Sequence, residues 1–177
     1  MHVTWRVVRG LPSLRKRALA VAIGCTFREN TDGNLRRKSG FQVIHFSIQP
    51  DHLHLVVEAD DRHRLAAGLR GLGVWIARRV NEKLGRTGRV LKDRYHERPL
   101  ATPREVRNAI VYVLQNYRKH DPSPFAFDAW SSAPWFDGWT VTLDPPATRT
   151  PVATPKTWLA SKGWRRHGPV HFDERPN

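Results

Sequence analysis

Two histidines one residue apart, His52 and His54 in the stretch Pro50 to Glu58 (PDHLHLVVE), are the side chains best placed to do chemistry. Side chains of a strand alternate between its faces, so a strand starting at His52 points both imidazoles one way and Leu53 and Leu55 the other. Two imidazoles held like that can share one metal ion and leave its other positions to an amide, a carboxylate, water or a substrate oxygen. Further along, Val106, Ile110, Val113, Leu114 and Tyr117 recur at helical spacing, and Asn108, Tyr112, Gln115, Asn116 and Lys119 fall on the other side. That phase buries Tyr117 and presents Tyr112. A phenol presented among amides on a rigid helix is a candidate nucleophile.

The 177 residues carry 30 basic and 16 acidic side chains, a formal charge of +14. The excess is +5 over residues 1–59, +9 over 60–120 and zero over 121–177. A polyanion, most commonly nucleic acid, is the expected partner of the first 120 residues. Cys25 is the single cysteine, so no disulfide forms within the chain, and no charged-then-apolar leader is evident. Both point to a reducing, cytoplasmic setting. No apolar run approaches the roughly 18 residues of a membrane span, so no membrane partner is expected.

The elements that must position these groups read in order. His2 to Val8 (HVTWRVV) is strand-like, and Leu14, Ala18, Val21, Ala22 and Cys25 recur at helical spacing up to about Asn30. The polar connection Asn30 to Gly40 carries Arg36, Arg37 and Lys38. Phe41 to Gln49 and the strand starting at His52 flank the turn Pro50-Asp51 as a hairpin. Leu65, Leu69, Leu72, Ile76, Val80 and Leu84 form the stripe of a long helix, in which Gly68, Gly71 and Gly73 permit close approach to a sheet and Trp75 lies at the core edge. Gly85 ends that helix, and the turn bearing Arg86 and Arg89 has the character of a phosphate grip. Val90 to Leu100 reads as a fourth strand, with Leu91, Asp93, Tyr95 and Glu97 on one face and Lys92, Arg94, His96 and Arg98 on the other. Such a cationic face has to be wet or against an anion. Thr102-Pro103-Arg104-Glu105 opens the tyrosine helix with a cap and a first-turn proline.

From Asp121 the pattern changes to prolines, serines and tryptophans without a sustained period, and Trp130, Trp135 and Trp139 are expected to anchor this stretch on the rest. Lys156 to His167 is expected to form a short helix or turn pair whose Arg165, Arg166 and His167 serve either packing or DNA. Strand, helix, strand, strand, helix, strand, helix is an α+β order: a ferredoxin-like βαββαβ sandwich with an added helix carrying Tyr112. The expected division is a domain over residues 1–120 and an irregular extension over 121–177 that packs on it.

At this point three motifs in order, HFSIQPDHLHLVVEA, NEKLGRTGRVLKDRYHERPL and the helix with YVLQN, carry a resemblance. The chain resembles the single-tyrosine, histidine-hydrophobe-histidine transposases, the IS200-like group with its REP-associated tyrosine transposases, over about His2 to His120. The resemblance implies a Mg²⁺- or Mn²⁺-dependent enzyme that cuts single-stranded DNA beside a hairpin and stays linked to the 5′ phosphate through tyrosine. It implies that His52 and His54 hold the metal, that Asn116 completes its shell, and that Tyr112 is the nucleophile. Arg36, Arg37, Lys38, Arg86, Arg89, Lys92, Arg94, His96, Arg98 and Lys119 are the expected DNA contacts. A homodimer and a monomer are both compatible with it. The chain departs from the family pattern in having Asp51 where asparagine is common, no proline after Asn116, and no glutamine around Leu69 to Gly73. A domesticated copy that binds DNA without cutting it is therefore the alternative. A zinc hydrolase built on His45, His52 and His54 is a further one, although His45 is expected to lie outside the pair's immediate shell.

Overall fold

In the computed structural model, residues 1–32, 40–92, 94–119 and 127–175 are described. The candidate contacts Arg36, Arg37 and Lys38, and the side chain of Lys119, lie outside the described residues. The elements are β1 (His2–Arg6), α1 (Arg17–Asp32), β2 (Phe41–Ile48), β3 (His52–Ala59), α2 (Arg62–Leu84), β4 (His96–Arg98), α3 (Pro103–Gln115) and α4 (Trp158–Ser161). The sheet runs β2-β3-β1-β4 with every neighbouring pair antiparallel. This is the βαββαβ order expected, and no helix among the described residues is long and apolar enough to cross a membrane.

Both faces of the sheet carry packed layers, and the paired strands β2 and β3 bury most of both their sides. On one face Val3, Trp5, Leu53, Leu55 and Val57 pack with α1 and α2. Gly68 and Gly73 of α2 lie so close to Phe41 and Trp5 that an added Cβ would collide with their rings, so helix and sheet meet more closely than any side chain would permit. Asp61 caps α2 by accepting from the Arg64 amide, and Gly85, at φ 59°, ends it in the left-handed region. The buried stripe of α2 is as expected, but Trp75 is 54% exposed with the Arg78 guanidinium over its ring. The α1 stripe is turned from the expected one. Leu19, Ile23 and Phe27 are buried, Ala18 and Val21 face out, and Cys25 is half-buried, because the largest side chains claim the sheet.

The other face of the sheet carries α3 and the extension. Ile44 and Val56 pack with Val106, Ile110 and Val113, and with Phe136, Trp139 and Trp164. Thr102 and Glu105 form a full capping box at the start of α3. Backbone of the extension also pairs with the outer edge of β2: Ile48 donates to Trp130, Ser132 to Phe46 and Ala153 to Val43. An edge strand that would otherwise present unpaired amides is thereby covered. The fixing charge is Asp128, fully buried and held by both Arg15 nitrogens at 2.9 and 3.0 Å. Trp139 is an anchor as expected, Trp130 and Trp135 are half-buried, and Trp164 is the most deeply buried of the extension's tryptophans. Arg165 and Arg166 lie over Trp164 and Trp158, so these cations serve packing.

His45 sits on β2 beside Val56, where an irregularity between Val43 and His45 shifts the register. Its ring lies edge-on to Phe136 and near the Ser132 hydroxyl. Burial lowers its pKa to about 4, against the opposing pull of Asp137 and Glu58. A histidine whose folded pKa is depressed is stabilising as the neutral form: stability is complete above the unfolded value near 6.5 and falls as the pH drops toward 4. Urea titrations should show His45 costing about 3 kcal/mol across that window, and His45→Gln should flatten the corresponding slope. An unchanged slope would contradict the burial argument.

Candidate active site

The register of β1, β3 and β4 builds one polar patch on the α3 side of the sheet. Thr4 lies between His54 and His96, His2 between Val56 and Arg98, and Arg6 beside His52. His52 and His54 project from an interior strand onto this face, and His54 is 3% exposed. Their Nε2 atoms converge to 2.9 Å. His52 Nδ1 is 2.7 Å from Asp51 Oδ1, and a carboxylate there takes the Nδ1 proton and leaves the Nε2 lone pair facing His54. His54 Nδ1 is 3.1 Å from the Thr4 hydroxyl, which accepts from it in one tautomer and donates to it in the other.

Without a metal ion, one Nε2–H donates to the other Nε2; with both Nδ1 atoms protonated, the two Nε2 lone pairs face one another, an arrangement that a metal ion between them would stabilise. A divalent ion about 2.1 Å from each of two ligands at right angles sets those ligands about 3 Å apart, so the donor separation suits one. Asp51 stands where the outer carboxylate behind a metal-ligating histidine would stand, and it is itself 3.3 Å from Arg6. Its carboxyl is held below the usual range by the His52 hydrogen bond, with the charges of His52 and Arg6 adding to this and burial opposing it.

Tyr112 completes the patch. Its ring centroid is 5.0 Å from that of His54 and 5.5 Å from that of His2, edge-on in both cases, so the phenol that helical phase predicted as presented stands over the histidines. Tyr117 is buried, and Tyr95 packs on Trp5 on the opposite face of the sheet from the pair. Burial, then the N-terminal ammonium and Arg98, lowers the His2 pKa to about 4 and keeps the ring neutral. The polar side of α3 differs from expectation at its end. Gln115 is buried and donates to the His171 carbonyl of the C-terminal segment, and Asn116 is buried where α3 passes into a 3-10 turn. His45 does not join the pair, and no group of three or more histidine, cysteine or carboxylate ligands occurs among the described residues. That removes the triple-histidine zinc arrangement.

The regular part of β4 is three residues long, shorter than expected, with Leu91 reaching Val7 by an isolated bridge. The alternation nevertheless holds: Tyr95 goes to the core, and His96 and Arg98 are exposed on the same face as the histidine pair. Lys92 and Arg94 are exposed. In the turn after α2, Arg86 Nη2 donates to the Arg89 carbonyl and Arg89 Nε to that of Leu91, so each guanidinium is partly occupied by its own loop. His2, Thr4, Arg6 and Asp51 join the site through strand pairing, and the only trace of this in the sequence is the polar-apolar alternation of HVTWR.

No family model matches the chain, and no curated protein does. Among solved structures, one described as the REP-associated tyrosine transposase bound to a REP hairpin is similar at 16% identity and a TM-score of 0.44. It covers 68% of this chain and 67% of its own. That is a distant likeness of fold.

Isothermal titration with Mn²⁺ should find binding that Asp51→Ala weakens by about 10- to 100-fold, the usual effect of removing a carboxylate behind a histidine ligand. An unaltered affinity would mean that the Asp51–His52 hydrogen bond does nothing for a metal ion at the pair.

Proposed function

We propose that this chain is a divalent-metal-dependent enzyme that cuts and rejoins single-stranded or hairpin DNA through a covalent phosphotyrosine at Tyr112. One observation carries the reading: two convergent imidazole nitrogens and a tyrosine ring meet on one face of the sheet. His96 and the guanidinium of Arg98 flank them on that face.

In this reading His52 and His54 hold Mg²⁺ or Mn²⁺ through Nε2, with Asn116 as the proposed third donor. When bound, such an ion polarises a non-bridging phosphate oxygen. The Tyr112 oxygen forms its bond to phosphorus as the 3′ oxygen of the neighbouring nucleotide leaves. The phenolic proton passes to water and the departing oxygen takes one back, so one phosphodiester replaces another. A 3′-hydroxyl can reverse the step, because the phosphotyrosine conserves the bond. Arg98, His96 and Lys92 steer the strand, and Arg86, Arg89, Arg94 and Lys119 offer phosphate contacts around it. Exposed cations around a patch one tyrosine wide suit an unpaired strand better than a duplex groove.

The test incubates the full chain with labelled hairpin DNA and Mg²⁺ or Mn²⁺ and resolves protein-DNA adducts on denaturing gels. The parent should form an adduct and Tyr112→Phe none. Equal adduct from Tyr112→Phe would remove Tyr112 as nucleophile. Binding without any adduct from the parent would favour the alternative, a chain of this fold that binds DNA without cutting it.

A further inference from the structure

We propose that the cavity beside Tyr112 is a nucleotide subsite, filled by an unstacked nucleotide next to the phosphate attacked in the reaction above, on which reading this inference rests. The cavity is about 400 Å³, and both Tyr112 and His2 line it. That size falls within the roughly 300–1,000 Å³ of sites that enclose a small molecule. It admits one nucleotide swung out of a strand and excludes a base pair still stacked in a duplex.

Its lining is balanced in charge, and Arg107, paired with Glu174 from outside it, tips the surroundings cationic. Two arginines, Arg98 and Arg175, and two acids, Glu105 and Glu174, contribute to the wall. Glu105 is engaged by the amides of Ala101 and Thr102 and by the Thr102 hydroxyl. Glu174 is bound by both Arg107 nitrogens at 2.6 and 2.8 Å and accepts from the His171 amide. With the acids so occupied, Arg98, whose contact to Glu105 is a long 3.5 Å, is available to a phosphate.

The rest of the lining suits a base. Leu100, Ala109 and Val111 give an apolar wall, and Asn108, exposed on α3, offers both an amide donor and a carbonyl acceptor to a base edge. His2 joins the cavity to the histidine pair, because its ring lies against both His54 and Tyr112.

The test titrates the full-length protein, without added metal, against fluorescein-labelled hairpin oligonucleotides in which each unpaired nucleotide beside the stem is replaced in turn by an abasic residue. One abasic position should weaken binding by about tenfold, the scale of a single base contact. A protein carrying Asn108→Ala and Arg98→Ala should bind the intact oligonucleotide about tenfold more weakly and no longer distinguish that abasic position. Both side chains are exposed, and Asn108→Ala alone, on the surface of a helix, should show the same loss of discrimination. Because binding is read without cleavage, a chain that behaves in this way yet forms no Tyr112 adduct keeps the subsite and loses the strand-transfer reading. No sensitive position, or equal sensitivity in the variants, overturns the subsite.

Discussion

The register of β3 is the constraint on which the rest depends. Leu53, Leu55 and Val57 are fully buried against α1 and α2, while His52 and His54 occupy the opposite face. A one-residue slip would exchange the two faces, driving imidazoles into an apolar core and leucines into a polar patch. Burying three such apolar side chains contributes about 5–9 kcal/mol, comparable to the whole margin by which a domain is stable. Hydrophobic burial on one side thus fixes the direction of chemistry on the other. The antiparallel pairing with β1 then adds Thr4 behind His54 and Arg6 beside His52, and β4 adds His96 and Arg98.

The C-terminal extension bears on the same constraint. By pairing with the outer edge of β2 and stacking Phe136, Trp139 and Trp164 under α3, it holds the tyrosine helix down on the sheet. Arg107 and Glu174 fasten its last described stretch to α3, and Arg15 with Asp128 fastens its first stretch to the segment before α1. Removing one partner of a buried pair such as Arg15 and Asp128 leaves an uncompensated charge, at a typical cost of about 3–5 kcal/mol. The extension's net charge of zero accords with this role: Arg165 and Arg166 stack on its own tryptophans, while Arg98 faces the patch from β4.

How much of this was legible in the sequence followed from the range of the interactions. The hairpin, the α2 stripe and the α3 capping box are written within a few residues, and the alternation that separates Tyr95 from His96 survives although regular β4 spans only His96 to Arg98. Helical phase placed Tyr112 and Tyr117 correctly because the α3 stripe is strongly apolar. In α1 the same rule failed, since small residues such as Ala18 and Ala22 carry little phase and the bulk of Leu19, Ile23 and Phe27 decides the face. The place of Gln115 depends on the distant His171 segment, and the roles of His2, Thr4 and Arg6 depend on which strand lies beside β3. Nothing local encodes either. Trp75 misled for another reason: an arginine over its ring lets an aromatic remain outside.

The central claim is that the two Nε2 atoms form a joint cation site under Tyr112, and electron spin-echo spectroscopy of bound Mn²⁺ tests it most directly. Nitrogen modulation from two histidines is predicted for the parent protein, reduced to one by His52→Ala and accompanied by weaker binding. Mn²⁺ bound with no nitrogen coupling, or coupling that survives His52→Ala and His54→Ala together, would contradict the account.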